Sequence, residues 1–176
     1  MASFAKKYGL RGAVISAVDL VQGLGAAGGM DVIKVPGVTG MPDTNYEGKA
    51  TAAIEALKDH DIVFVHVEAT DEVSHIGDVD LKLKAIEFFD TRIAKPIMEA
   101  LERMGEYRVL LLPDHPTPIP LRTHTSTPVP FIAASSADRG GNGCSKFTEA
   151  QAGGTGVSVR NGHDLLGMFI REELFG

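Results

Sequence analysis

The sequence predicts an α/β fold in which helices cover both faces of a mostly parallel sheet. Short apolar segments rich in β-branched residues alternate with longer segments in which apolar residues recur at helical spacing. The segment 61–67 is a nearly continuous apolar run, which is typical of a strand buried on both faces of a parallel sheet. The chain has 176 residues and shows neither an internal repeat nor a domain boundary, so we expect residues 1–176 to form a single domain.

Five short apolar segments are predicted to be strands. In chain order they are 12–16, 31–35, 61–67, 108–112 and 129–133. Turn-forming residues separate them, such as Pro36 and Gly37 after the second strand. Because strands alternate with helices, we expect βαβ units and parallel pairing. In open sheets of this kind, ligands bind beyond the carboxyl ends of the strands.

Four segments carry apolar residues at a helical spacing and are predicted to be helices. In chain order they are 18–26, 46–58, 80–104 and 163–175. Glycines follow the first of them, which is a helix-stop signal. Pro96 lies inside the third, and because proline has no N–H donor we expect it to kink or divide that helix. The segment 138–160 is rich in glycine and serine and is expected to be a mobile loop.

The composition excludes several classes of function. Seventeen lysines and arginines stand against 23 aspartates and glutamates, a net charge of −6, which argues against binding to nucleic acid or to an anionic membrane surface. No apolar run approaches the ~20 residues of a membrane span, and the first residues lack the apolar region of a signal peptide, so we expect a cytoplasmic protein. A single cysteine, Cys144, excludes an internal disulfide and a zinc site of four cysteines.

Carboxylate and imidazole side chains occur in three clusters next to the ends of predicted strands. Asp71 and His75 follow the third strand, Asp114 and His115 follow the fourth, and His124 precedes the fifth. Such mixed ligands suit divalent ions such as Mn²⁺ or Zn²⁺. Asp71 and His75 are four residues apart and would share one face of a helix. Each motif alone is common by chance, but the three together predict a metal site.

The remaining motifs are interpreted as structural. Residues 23–28 match G-x-G-x-x-G, but they do not directly follow a strand and they precede one, so we interpret them as a glycine-rich helix end. Cys144 has no histidine nearby in the sequence and is not predicted to be a nucleophile. His60 and His163 are interpreted as surface residues, and His66 as a residue that packs in the sheet.

Six motifs in the same order resemble those of archaeal-type cofactor-independent phosphoglycerate mutases, a family of the alkaline phosphatase superfamily. They are Gly12–Leu20, Val35–Gly40, Asp43–Ala50, Phe64–Ala69, Leu112–Pro118 and Leu121–Thr125. The resemblance extends from about Tyr8 to Phe131. It implies an alkaline-phosphatase-like core and an enzyme that interconverts 3-phosphoglycerate and 2-phosphoglycerate through a phosphoserine. It also implies two divalent metal ions, Mn²⁺ first, with Zn²⁺, Co²⁺ or Mg²⁺ as alternatives.

The resemblance also implies roles for particular residues. Asp71, His75 and His124 match the three protein ligands of one metal ion. Asp114 and His115 match two ligands of the other ion. The expectation for Arg122 comes from its position, two residues before His124 in a loop at the strand ends, where a guanidinium group could bind the phosphate or carboxylate of a substrate. A surface arginine would have the same appearance in the sequence.

No motif in this chain matches the nucleophilic serine or the further aspartate that complete the second metal site in the family, and Ser74 does not match that serine. We therefore expect an incomplete core that corresponds to the C-terminal part of the enzyme, without the N-terminal core segment and the inserted substrate domain. Such a chain would hold at most one complete metal site and would be inactive alone. Uncovered strand edges and apolar surface would favour self-association.

Two alternatives remain open. The first is a related metal-dependent phosphotransferase or phosphohydrolase, such as proteins labelled phosphonopyruvate decarboxylase or homoserine kinase, because the same metal ligands would serve these enzymes. The second is a domain without catalytic activity whose metal is structural or absent.

Overall fold

The computed structural model describes residues 2–137 and 141–175, and it divides into two compact units. The first unit contains the chain up to Leu101 together with Thr117–Thr123. The second contains Glu102–Pro116 and the chain from His124 onward. None of the helices in the described part of the chain has the length and apolar character that a membrane crossing requires.

A three-stranded parallel sheet lies in the first unit. Its strands are β1 (Gly12–Ile15), β2 (Asp31–Val32) and β3 (Ile62–Val65), in the order β2–β1–β3. The predicted α/β class and the parallel pairing of these strands are confirmed. The central strand β1 is buried along its whole length, whereas β3, which we predicted to be buried on both faces, is an edge strand and only partly buried. Its apolar run indicates a strand but does not determine the strand's position in the sheet.

The α-helices in the described residues up to Met104 are α1 (Phe4–Tyr8), α2 (Asp19–Ala27), α3 (Tyr46–Ala56), α4 (Ala69–Ile76), α5 (Val79–Phe89) and α6 (Lys95–Met104). Three of them, α1, α3 and α5, begin at a residue whose side chain caps the first turn. Ser3, Asn45 and Asp78 each accept a hydrogen bond from the backbone N–H three residues ahead, which satisfies a donor that the helix leaves unpaired. Two of the helices, α1 and α4, lie outside those predicted from periodicity because each is too short to show a clear period.

The long helix predicted at 80–104 is divided, as expected, close to Pro96. One π-helical turn, Asp90–Ala94, separates α5 from α6, and the Lys95 N–H donates to the carbonyl oxygen of Asp90, five residues back. The proline ring conflicts with the carbonyl group four residues before it in a regular helix. A wider π turn just before Pro96 is a known way to accommodate such a disruption.

The glycine-rich segment at 23–28 ends a helix, which confirms the structural interpretation of that motif. Gly28 is the C-cap of α2. Gly25 has a second role inside the helix, because a Cβ atom there would overlap Cγ1 of Val14 on β1. The missing side chain therefore lets α2 lie directly against the central strand.

The described residues of the second unit form an antiparallel strand pair and two helices that lie entirely within it. Its strands are β4 (Arg108–Leu111) and β5 (Ile132–Ser135), and its helices are α7 (Glu149–Gly154) and α8 (Gly162–Ile170). The sheet was expected to be mostly parallel, and β4 and β5 are the exception because they pair antiparallel. Residues 112–131 contain several prolines and form no helix, whereas a parallel crossover usually needs one.

Three boundaries in the second unit also differ from prediction, and the first is that of β5, which covers Ile132–Ser135 instead of 129–133. The segment 138–160, expected to be a loop, contains the short helix α7, and residues 138–140 of that segment lie outside the described residues. Helix α8 ends at Ile170 instead of residue 175. Arg108 Nη1 donates to the carbonyl oxygens of Phe169 and Ile170, at 3.3 and 2.9 Å, and so pairs acceptors that the helix end leaves open.

Candidate metal centre

Helix α4 carries Asp71 and His75 on one face, as their spacing predicted. The opposite face is buried through Ala69 and Val73 in the core of the first unit. Asp71 Oδ2 and His75 Nε2 lie 3.2 Å apart, and the two side chains are 30% and 36% exposed. The buried face thus fixes the helix, and the two candidate ligands project together from its other side.

Each of these two side chains has a second partner in the segment 117–123. The buried Thr117 donates a hydrogen bond from Oγ1 to Asp71 Oδ1. His75 Nδ1 lies 2.9 Å from the carbonyl oxygen of Arg122. A carbonyl oxygen can only accept, so Nδ1 carries a proton, and Nε2 is the atom available to a metal ion. Outer partners of this kind orient metal ligands in known metalloproteins.

The separation of the two ligand atoms fits a shared divalent ion. Ligand atoms that each lie about 2.1 Å from an ion are about 3.0–3.4 Å apart at octahedral to tetrahedral angles. The observed 3.2 Å lies in this range. The hydrogen bond to the Arg122 carbonyl raises the pKa of His75, and the charge of Asp71 raises it further. Protons therefore compete with a metal ion at this histidine, as they do at metal sites generally.

Arg122 is placed by its contacts with the end of α4. Its backbone has φ 52°, in the left-handed region that non-glycine residues adopt at a cost. Its guanidinium group lies against Gly77, where a Cβ atom would come within 2.5–2.7 Å of Nε, Cζ and Nη2. Gly77 itself has φ 87° and ends α4. Arg122 thus touches the candidate centre through its carbonyl group, while its side chain is exposed.

The second unit brings together the other three predicted ligands. The rings of His115 and His124 are stacked, with centroids 3.7 Å apart and planes at 29°. Asp114 Oδ2 lies 3.4 Å from His115 Nε2, and Asp114 Oδ1 accepts the His115 backbone N–H at 3.0 Å. The resemblance assigns His115 and His124 to different ions. Because the ions of two-metal sites are typically only about 3.5–4 Å apart, closely stacked rings are compatible with that assignment.

Sequence reasoning missed a polar cluster in the first unit, formed by the buried Ser16, Lys49 and Glu68 and the partly buried His66. Glu68 Oε1 accepts from Ser16 Oγ at 3.0 Å and lies 3.1 Å from His66 Nδ1, and Glu68 Oε2 lies 3.1 Å from Lys49 Nζ. His66 therefore hydrogen bonds within this cluster, which is more than the packing role we expected. The available signal was Lys49 itself, a lysine beside the apolar positions of a predicted helix.

The other predicted minor roles have mixed outcomes. His60, interpreted as a surface residue, is largely buried and bonds the Ala56 carbonyl and Asp31 Oδ2, both at 2.8 Å, so that interpretation was wrong. His163 is exposed, as expected. Ser74 is buried, and its hydroxyl group donates to the Thr70 carbonyl oxygen within α4. Cys144 is exposed in the second unit.

Residues 1–158 match the sequence profile of the family described as the metalloenzyme superfamily. This chain belongs to the metalloenzyme superfamily. It is 54% identical over 170 residues to a probable 2,3-bisphosphoglycerate-independent phosphoglycerate mutase of Geobacter sulfurreducens, and 52% identical over 171 residues to such a mutase of Methanothrix thermoacetophila. Each alignment covers 97% of this chain and 43% of the relative. This chain thus spans less than half the length of these curated relatives. The predicted resemblance to the mutases is confirmed.

Two solved structures are similar to this chain in fold. This chain resembles a Pyrococcus horikoshii protein with a TM-score of 0.84 and 32% identity, over 97% of this chain and 51% of the other. A cofactor-independent phosphoglycerate mutase of Thermoplasma acidophilum matches with a TM-score of 0.55 and 22% identity, over 91% of this chain and 35% of that one. At this identity, the second match concerns the fold alone.

Proposed function

We propose that this chain is the metal-binding part of a 2,3-bisphosphoglycerate-independent phosphoglycerate mutase and corresponds to the C-terminal part of its core. The names and identities of the curated relatives support the enzyme class. The observation that carries the proposal is the pair of ligand atoms on α4, Asp71 Oδ2 and His75 Nε2, at a separation that one divalent ion would bridge.

In this proposal, Asp71, His75 and His124 hold one divalent ion, and Asp114 and His115 contribute to a second. The chain supports the first set because Arg122, whose carbonyl oxygen orients His75, stands two residues before His124. Mn²⁺ is the proposed ion, because carboxylate and imidazole ligands together suit it. Such ions supply charge stabilisation to the oxygens of a transferring phosphoryl group. Within the protein, Thr117 and the Arg122 carbonyl hold Asp71 and His75 in place.

The substrate of the intact enzyme is proposed to be phosphoglycerate, bound in part by the guanidinium group of Arg122. Interconversion of 3-phosphoglycerate and 2-phosphoglycerate belongs to glycolysis, and we infer a cytoplasmic location from that role. The isolated chain is proposed to be inactive, because no residue in it matches the phosphoryl-accepting serine of the family.

Calorimetric titration of the metal-free chain with Mn²⁺ tests the metal site. The wild-type chain should bind one ion, and Asp71→Asn, His75→Gln and His124→Gln should each weaken binding at least about tenfold. Each removes the charge or the imidazole of a ligand, and loss of even an outer partner of a ligand typically costs about tenfold or more. The matched control is His163→Gln, whose histidine side chain is 82% exposed. A wild-type chain that binds no ion, or binding that none of the three ligand variants changes, would contradict the proposal.

The role of Arg122 is tested in the full-length enzyme that contains this segment. Arg122→Lys keeps the charge and the backbone carbonyl but removes the planar fork that binds a phosphate in bidentate fashion. We expect lower turnover of 3-phosphoglycerate with unchanged Mn²⁺ affinity. Wild-type turnover would reject the role in substrate binding, and a loss confined to Mn²⁺ affinity would show that Arg122 acts only through His75.

A further inference from the structure

The polar cluster of Ser16, Lys49, His66 and Glu68 lies just beyond the carboxyl ends of two paired strands. Ser16 directly follows β1, and His66 directly follows β3, in a register that aligns Ile15 with Val65. Lys49 comes from α3, and Glu68 is the residue before α4. Four segments of the first unit therefore meet at this cluster.

Glu68 joins the start of α4 to the segment that follows β1. Its carbonyl oxygen accepts the N–H groups of Asp71 at 2.8 Å and Glu72 at 3.1 Å, which begins the helix. Its carboxylate does not cap the helix but extends away from it. Oε1 accepts the N–H groups of Ala17 at 3.2 Å and Val18 at 3.1 Å, in addition to the Ser16 hydroxyl.

Lys49 completes the junction from the other side. Its Nζ donates to the His66 carbonyl oxygen at 2.7 Å and to Glu68 Oε2 at 3.1 Å. The side chains of Lys49 and Glu68 are 0% and 6% exposed. A buried ion pair adds little net stability compared with apolar residues of the same size, but it is strongly directional and costly to break. The buried pair of Lys49 and Glu68 is therefore better explained by the positions that it fixes than by the stability that it adds.

The cluster is not arranged for nucleophilic catalysis. Ser16 and Glu68 both approach the same nitrogen of His66, Nδ1, at 3.0 and 3.1 Å. In a catalytic triad, the serine and the carboxylate occupy opposite nitrogens of the histidine. Ser16 is also buried, and its hydroxyl group already donates to Glu68 and accepts the Val18 N–H.

We propose that Lys49 and Glu68 are positioning residues that fix the first turn of α4 to the end of β1 and thereby set the direction of Asp71 and His75. This role rests on the proposed metal site, because it concerns the geometry of two of that site's ligands. Glu68 lies three residues before Asp71, so a rotation of the first helical turn moves the Asp71 carboxylate directly. The pair acts through α4 and does not itself touch a metal ion.

Three variants separate positioning from bulk stability. Glu68→Gln and Lys49→Met each break the pair, and the double variant removes both charges, so that neither is left buried and unpaired. The double variant should therefore recover stability and remain folded if a single variant does not. The control is the exposed pair of Glu55 and Lys58 in and just after α3, changed to Glu55→Gln and Lys58→Met.

Amide hydrogen exchange gives a readout that does not depend on metal. In Glu68→Gln and the double variant, the amides of Asp71 and Glu72 should exchange at least about tenfold faster, while amides in the middle of α3 keep their protection, because only the anchor of α4 is lost. Uniform acceleration throughout the first unit would show a general structural role and overturn the proposal, and so would unchanged protection at α4.

Mn²⁺ affinity of the folded variants gives the second readout. The double variant should bind Mn²⁺ about tenfold more weakly than the wild-type chain, in the range seen for outer partners of metal ligands, while the control pair has no effect. Unchanged affinity despite faster exchange at α4 would overturn the positioning role. If the wild-type chain binds no Mn²⁺ and Asp71→Asn changes nothing, the proposed function fails, and the exchange experiment alone then decides whether the pair fixes α4.

Discussion

Glu68 is a buried carboxylate that remains ionised because its neighbours supply donors and a positive charge. Burial by itself raises its pKa, but the hydrogen bond from His66 and the charge and hydrogen bond of Lys49 outweigh this effect. The pKa of Glu68 therefore falls from the usual 4.5 to about 2. A difference of this size corresponds to about 3 kcal/mol of folding stability above pH 4.5.

This difference in pKa predicts a specific dependence of stability on pH. Because the folded-state pKa lies below the unfolded-state value, the stabilisation by Glu68 is fully present above about pH 5 and is lost as the pH falls toward 2. Urea unfolding measured from pH 7 to pH 2 should show a steep decrease for the wild-type chain and a clearly shallower one for Glu68→Gln. Glu55→Gln controls for the loss of an exposed carboxylate. Parallel curves for the wild-type chain and Glu68→Gln would refute this explanation.

At the scale of elements, α2 contains two glycines with opposite structural requirements. A Cβ atom at Gly23 would meet open space, whereas one at Gly25 would overlap the buried Val14 of β1. Glycine inside a helix is destabilising compared with alanine, by about 0.5–1 kcal/mol. The cost is offset at Gly25, where the close approach of helix and strand depends on it.

This contrast predicts opposite signs for the same substitution in one helix. Gly23→Ala should raise the free energy of unfolding by up to about 1 kcal/mol. Gly25→Ala should lower it by about 1–3 kcal/mol, because the stiff, β-branched Val14 cannot move aside in the core. Chemical denaturation of both variants checks the prediction. Equal effects of the two substitutions would show that α2 does not pack as closely on β1 as described.

Local sequence patterns predicted the individual helices and strands better than they predicted which of them pair or pack together. Strands β1, β3 and β4 and helix α3 follow from apolar spacing and β-branched composition, and Asp71 and His75 share a helix face as their spacing of four required. The antiparallel pairing of β4 with β5 could not be predicted, because composition indicates a strand and not its neighbour. The junction of Lys49 and Glu68 was missed for the same reason, since the two residues are 19 positions apart with a strand between them, and no periodicity links them.

At the scale of the whole molecule, an apolar stripe on α5 is exposed. Val79, Leu83 and Ile86 lie at positions i, i+4 and i+7, on one face of the helix, and all three are exposed. Contiguous exposed apolar surface often marks an interaction site. We predict that the self-association expected from the sequence uses this stripe as its contact.

The stripe predicts a mass that depends on concentration. Light scattering coupled to size-exclusion chromatography should show association of the wild-type chain at high concentration, and Leu83→Glu should reduce it by placing a charge in the apolar contact. Leu24→Glu on α2 is the control, because the two leucines are similarly exposed, at 57% and 56%. A wild-type chain that stays monomeric, or equal effects of the two variants, would reject the stripe as the contact.

The central claim is that a divalent metal site is built on α4. Its most direct test is to titrate the ¹⁵N-labelled, metal-free chain with Mn²⁺ and to record the amide NMR signals at each step. Bound Mn²⁺ broadens the signals of nearby amides. At less than one equivalent, we predict selective loss of the signals of Asp71–His75 and of residues 117–123, and we predict that Asp71→Asn abolishes this loss. Broadening that begins at other acidic surfaces, with the α4 signals intact at one equivalent, would contradict the claim.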